Sequence, residues 1–528
     1  MPKRRLKRCV RMLLALVLLG VAFLLFERFR GQIALANYKK ELIAQGEKLS
    51  PQDFINNRLT PDTDAAPIIA TIGKIQPGKV IVHSLPPLMK LLASGRAIVG
   101  FREPEWVETW SFKDGEWVEG KVTNRWEQVA VDLESNALVL AEIRTAMQKP
   151  VFVNAIDYAA GPKIKIPHLA KAKSLAQWLQ AEIALALHEG RRADALAALQ
   201  CQIRIPKLLA EDKIWISELV RGALGAIARA NTWEALQRDD WQDEELAVIQ
   251  QAWADQHFAD GITAALECEL MAMTITYQQL RNSNQETHVP LEATDSLGTI
   301  FSSLANIDDP ETEEDSIWTK IPFHEELTEF WQSQIYCRIW LFAWSHQAEY
   351  KALTEVYSAL ELMREGDSKK SYAHIRPKFE AIEAAGEKMG FYDRARFLLE
   401  NLRGAYSRAV RRSMRAETDR ALCIAAIALQ RHFIRHGNYP NQLEALVPEF
   451  LSSVPVDYMD GQPIKCRLNP DGSFTLYSVG EDGKDDGGGM SLPEGSKSRD
   501  LWRRKDYVWP APATPEEVTE YRRQAGQN

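Results

Sequence analysis

The sequence predicts a mainly α protein with an N-terminal membrane anchor, an irregular bundle of αα-hairpins and a small C-terminal α+β module. Three observations predict it. A charge-free apolar run, Met12–Phe26, follows a tail in which six of the first eleven residues are basic. From about Pro167 apolar residues recur every three to four positions, the spacing of one helix face. After Arg415 the pattern changes to one helix followed by short β-type runs punctuated by Gly and Pro. With 528 residues, 45% of them hydrophobic, the chain is long enough for several domains with real cores. A net charge of -8 and the absence of a continuous basic face argue against a nucleic-acid partner.

Residues 1–30 form the tail and anchor. At a rise of ~1.5 Å per residue, Met12–Phe26 covers about 22 Å, short of the roughly 30 Å hydrocarbon core. Snorkelling by Arg11 and by Glu27–Arg28 would close the gap. The alternative is a cleaved signal peptide, for which Ala34-Leu35-Ala36 has the small-x-small form. That triplet lies beyond the charged ERFRGQ, so an uncleaved anchor is the better reading. Both readings export the bulk of the chain, and the anchor reading places a single-pass protein in a bacterial inner membrane with its bulk in the periplasm. Of the six cysteines, none is in a CxxC pair. Cys423 and Cys466 would fall in one module and be able to pair, or Cys423 is a small buried apolar residue.

Residues 31–163 read as a mixed α/β region. NYKKELIAQ is a short amphipathic helix of its own, and WSFKDGEWVEGKV (Trp110–Val122) is a hairpin turning at Asp114-Gly115. Residues 164–404 are the helical bundle. Leu169, Ala172, Leu175, Ala176, Leu179, Ile183 and Leu187 line one face, the chain turns at HEGRR, and ADALAALQ resumes a helix. This helix–glycine–helix unit loosely resembles a tetratricopeptide-type hairpin, with an echo near Arg364–Lys370 but no fixed period. Helices follow in SELVRGALGAIARANTWEAL and ELAVIQQAWADQHF, and the fifteen tryptophans fill helix contacts. Residues 282–316 interrupt the bundle as an acidic surface loop, in which Asp308–Asp315 holds six acids in eight positions.

Residues 405–490 are the C-terminal module, with 491–528 as a tail. A helix with an apolar stripe (Leu422, Ala425, Leu429, Phe433) ends at Gly437 with Pro440 beyond it. NQLEALVPEFL is a second short helix, and strands follow with turns at Asp460-Gly461 and Asp471-Gly472. The succession GNYPNQLEALVPEFL, VPVDYMDGQPIKCRL, DGSFTLYSVGEDGKDDGG resembles the globular half of the major pseudopilin of type II secretion systems. In that family a long helix leads through a Tyr-Pro turn and a hairpin to a strand ending Tyr-Ser-x-Gly, and the Asp-rich loop that follows binds calcium. The resemblance covers residues 415–489 and implies a calcium site at Asp482, Asp485 and Asp486, with carbonyls near Ser478 and Gly480 completing the shell. A plain Asp/Gly surface turn is the other reading of the same composition. The chain departs from the family in two ways. The pseudopilin cleavage site and assembly helix do not precede the module, so filament assembly is not implied, and the paired aspartates follow the first after only two residues.

No motif carries catalysis. HEELTEF (His324–Phe330) begins like a zinc-protease helix but has Thr328 where the second histidine belongs. His432 and His436, four apart, suit either metal ligation or charge compensation at a helix C-terminus. The expectation is therefore an anchored, exported binding or scaffold protein with protein partners, linked to type II secretion or pilus-like machinery. The alternatives are an exported hydrolase with its site in the bundle, and a terminal module whose role is purely structural.

Overall fold

The structure, a computed structural model, describes residues 2–55, 57–81, 84–113, 116–282, 336–387, 390–397, 402–492 and 500–524. The acidic run Asp308–Asp315 and the His324–Phe330 segment lie outside the described residues. The protein is mostly helical (65%), which leaves the sheet to a few short strands.

Helix α1 runs unbroken from Pro2 to Ala44. The separate amphipathic helix expected in NYKKELIAQ is instead the last part of α1, because nothing between Phe26 and Ala44 stops a helix. Gly31 is tolerated in mid-helix and serves a close approach: a Cβ there would lie 2.7 Å from Gln347 Cγ. The helix ends at Gly46, whose left-handed backbone (φ 91°) lets Glu47 N–H reach back to the Leu42 carbonyl at 3.0 Å. Among the described residues α1 is the one helix long and apolar enough to cross a membrane. Its first part is bare, with Met12, Leu13, Leu16 and Leu19 all exposed, whereas Leu35 and Leu42 are buried.

The mixed region contains α2 (Ala66–Ile72), the two-residue strands β1 (Lys90–Leu91) and β2 (Ala97–Ile98), and an antiparallel hairpin of β3 (Glu105–Lys113) and β4 (Glu116–Arg125). Lys113 pairs with Glu116, and Asp114-Gly115, where the turn is expected, lies outside the described residues. Helix α3 (Trp126–Ala146) then leads to the bundle: α4 (Pro167–His188), α5 (Arg192–Arg204), α6 (Trp215–Ala235), α7 (Asp243–Ala254) and α8 (Ala259–Asn282). The α4–α5 turn is made by Gly190 at φ 75°, inside the HEGRR signal. After a π-helical turn (Trp340–Trp344) come α9 (Ser345–Lys369), α10 (Tyr372–Glu387), the short α11 (Phe391–Arg396) and α12 (Leu402–His436). Helix α9 packs along both α8 and the second half of α1.

Helix α12 is not one-sided. Every residue from Ala421 to Leu429 is buried, because α6, α7 and the C-terminal sheet enclose it, while Phe433 of the expected stripe is 40% exposed. A helix apolar on all sides needs such enclosure, and each fully buried Leu or Ile there contributes ~1.5–3 kcal/mol. The sheet is β5 (Lys465–Leu468), β6 (Phe474–Ser478) and β7 (Tyr507–Val508), all antiparallel. Its third strand comes from the tail. The tail then runs on to β2, where the Ala97 amide donates to the Ala511 carbonyl (3.0 Å) and the Ala513 amide to the Ala97 carbonyl (2.7 Å). One hydrophobic core extends from Ala65 through α4–α7 and the second half of α12 to Trp509, and a second joins Leu35, α8, α9 and the first half of α12. Cys423 is fully buried on α12, Cys466 lies on β5, and both thiols are free.

Candidate functional site

Strand β6 delivers the chain into the Asp/Gly loop, and the structure sends the three aspartates to three different partners. Asp482 Oδ1 accepts from its own Lys484 amide at 3.0 Å, an exposed Asx turn. Asp485 Oδ1 accepts from Tyr477 O–H at 3.0 Å and from Gly487 N–H at 2.9 Å. Asp486 lies 3.5 Å from Lys505 Nζ. The group that organises the loop is one that the sequence analysis missed. Asp506, fully buried at the foot of β7, accepts from the amides of Gly488 and Gly489 at 2.8 Å each and of Asp486 at 3.3 Å. Burial pushes its carboxyl up, and those amides partly offset the push.

The loop thus turns amide N–H groups toward a carboxylate rather than oxygens toward a common point. Among the described residues no group of three or more His, Cys, Asp or Glu is gathered as metal ligands. A second buried carboxylate, Asp457, fixes the start of the loop by accepting from Val479 N–H (3.0 Å) and Met459 N–H (2.9 Å), and burial raises it to about 6. Glu481 pairs with Arg415 and with Arg411, which ties the loop to α12.

His432 and His436 end side by side, ring centroids 4.4 Å apart, at the C-terminus of α12. His432 Nδ1 bonds the Asn438 carbonyl (2.8 Å), and His436 stands 3.8 Å from Glu449. His432 also lines a recess with Tyr439 and Gln442.

A charged cleft of about 410 Å³ opens where α6 and the start of α8 meet the segments around Phe152 and Lys207. Arg221 lines it and pairs with Glu218 (2.6 Å), both nearly inaccessible, and also donates to the His257 carbonyl at 2.7 Å. Burial pushes the Glu218 carboxyl up to about 7 despite its arginine. At the rim Lys207 lies 3.7 Å from Asp255. Beside the cleft, Asp212 accepts from Ser217 O–H (2.6 Å) and Asn154 (2.8 Å) and meets His168 Nε2 at 2.8 Å. Serine and histidine both end on Asp212 Oδ2, so the histidine is not placed to take the serine proton. This is a polar hub and not a nucleophile. No sequence signal marks the cleft, since its residues come from segments up to some two hundred positions apart.

The third feature is the junction where α1 enters the body. Glu27, directly after the apolar run, accepts from Arg30 at 2.8 Å and from Gln347 Nε2 at 2.9 Å, and Gln347 Nε2 also reaches the Glu27 carbonyl. A turn and more further on, the buried Glu349 of α9 pairs with Lys39 of α1 and with Arg281 of α8. His346 lies close by. Burial, then Arg281, Arg28 and Lys39, push it down to about 4 and keep it neutral. No protein-family model, curated protein or solved structure matches the chain.

Proposed function

We propose that the chain is a membrane-anchored protein of the bacterial cell envelope whose exported body binds or scaffolds partner proteins. The observation that carries this reading is the continuity of α1. Its exposed apolar half passes without a hinge into a half buried against α9, so the body is held at fixed height and orientation above the span. That is a property of a display platform. A link to type II secretion or pilus-like machinery rests on the pseudopilin resemblance of residues 415–489, which the order of a long helix followed by an antiparallel sheet supports. A second reading, that the module stabilises the bundle, is favoured by the enclosure of Ala421–Leu429 between α6, α7 and the sheet.

The test is fractionation of the full chain in a bacterial host, followed by protease treatment of spheroplasts. The expected result is a membrane-bound protein that resists alkaline carbonate and loses its body to protease added outside. Release by carbonate, or a body protected in intact spheroplasts, would overturn the proposal. Truncation after Arg415 separates the two roles of the module: global unfolding supports the structural role, and a folded, anchored remainder supports docking.

A further inference from the structure

The apolar run Met12–Phe26 is too short for a bilayer, at about 22 Å against roughly 30 Å, and three charges follow it almost at once. The structure turns Glu27 inward, half-buries Arg28 and leaves Arg30 47% exposed, bonded back to Glu27 and Gln347. Glu27 is only 3% exposed and is held by Arg30 and Gln347. Arg28 donates to the Phe342 carbonyl at 3.2 Å and lies over the Phe342 ring, 4.8 Å from its centroid. The outer face of α1 carries Phe26, Phe29 and Ile33, at three-to-four spacing and 62%, 57% and 62% exposed, with Arg30 at its edge, its guanidinium drawn to Glu27 and Gln347. Counted to Ile33, the lipid-facing side of the helix is 22 residues, or about 33 Å, which meets the required thickness.

The body supplies a shelf at the same level. Tyr392 of α11 lies with its ring 6.3 Å from Phe23, a residue inside the apolar run, and 6.1 Å from Trp344. Trp340 Nε1 donates to the Arg396 carbonyl at 2.8 Å and so fixes α11 beside the π-helical turn. Tyr392 and Phe342 are each 41% exposed. Since Phe23 must sit in hydrocarbon when α1 is inserted, its neighbour Tyr392 reaches the bilayer edge. Aromatic rings with adjacent arginines suit that layer, where amphipathic rings and guanidinium groups face headgroups.

We propose that the body is seated in the membrane: the outer face of α1 as far as Ile33, together with Phe342, Trp344 and Tyr392, contacts the interfacial layer of a phospholipid bilayer, and the Glu27 cluster faces the body. The seat rests on the reading of α1 as a membrane anchor. Its occupant is lipid because the shelf is continuous with the span.

The test uses the full chain in phosphatidylcholine vesicles, with an environment-sensitive fluorophore on one introduced cysteine at a time in a Cys9→Ser, Cys466→Ser background, whose four remaining cysteines are buried. Labels are placed at Leu18→Cys, Ile33→Cys, Phe342→Cys and Lys40→Cys, and lipids brominated high on the acyl chain are the quencher. Quenching several-fold stronger at 33 and 342 than at 40, with 18 also membrane-embedded, is the expected result. Aqueous emission at 33 and 342 with an embedded label at 18 overturns the seat and leaves the anchor. Aqueous emission at 18 as well overturns both. Blue-shifted but unquenched labels at 33 and 342 mean that protein covers the shelf, which also overturns the seat.

Discussion

The mixed region offers backbone amides to buried acids: Lys79, Val80 and Ile81 to Asp132 of α3, and Met89 (2.6 Å) and Gly100 (2.9 Å) to Glu234 of α6. In the bundle, Asp243 takes Arg431 (2.6 Å) and Arg435, and Glu349 takes Arg281 (2.5 Å) and Lys39. The difference follows from the backbone each acid meets. Helical amides already have partners, so an acid between helices finds only side-chain donors. Irregular segments leave amides open, and a buried one must be satisfied. Asp457 and Asp506 repeat the first pattern around the C-terminal loop. An amide clamp therefore fixes the shape of a loop, whereas a cation pair fixes the distance between two helices.

The largest effect should come from breaking the deepest clamp. Glu234→Ala orphans the buried amides of Met89 and Gly100 and is expected to cost about 3–5 kcal/mol in denaturant unfolding. Gly100 cannot relax away, since even a Cβ there would meet the Pro87 carbonyl oxygen at 2.0 Å. Next, Asp506→Ala should cost about 2–3 kcal/mol and speed amide exchange at residues 486–489. On the cationic side, Asp243→Asn should cost about 1–2 kcal/mol, because the exposed Arg435 can return to water. A cost for Asp243→Asn above that for Glu234→Ala would break the comparison. The smallest change is Asp482→Ala, expected within about 0.5 kcal/mol with or without millimolar calcium. A calcium-dependent rise in Tm that this variant abolishes would instead make the loop an ion site.

Glu234 and Asp243 also respond to pH in opposite senses. Burial pushes Glu234 up to about 7, above its unfolded value, so the folded state holds the extra proton. Its contribution is complete at pH 4 and is lost as pH rises through 7. Burial alone would raise Asp243 too, but Arg431 and Arg435 outweigh it and hold the carboxyl below its ordinary value. Its contribution is present at neutral pH and is lost as the medium turns acid. Stability measured from pH 4 to 8 should therefore lose its decline toward neutrality in Glu234→Gln, and lose part of its acid fall in Asp243→Asn.

What was legible in the sequence was local. Apolar spacing placed α4 and α5, and Gly190 and Gly437 marked turns. What escaped depends on separation. Nothing near Asp132 reveals that it holds residues 79–81, and nothing near Asp506 reveals that three amides some twenty positions earlier close on it. The apolar stripe of α12 was read too narrowly because periodicity records polarity and not how many neighbours enclose a helix. The charge cluster after Phe26 read as snorkelling ends, since its partners Gln347 and Phe342 lie more than three hundred residues away.

The return of the tail to Ala97 bears on the order in which the molecule can be completed. Trp233 donates to the Pro510 carbonyl (2.7 Å), and β2 bonds Ala511 and Ala513, so a strand made early in synthesis gains its partner only after some four hundred further residues have been made. Until then its edge and the socket around Trp233 stand open, and loop closure across some four hundred residues is slow. A premature stop near residue 505 would act as a lesion at residue 97. A chain threaded through a translocon would depend on a chaperone on the far side to guard that edge while the rest arrives.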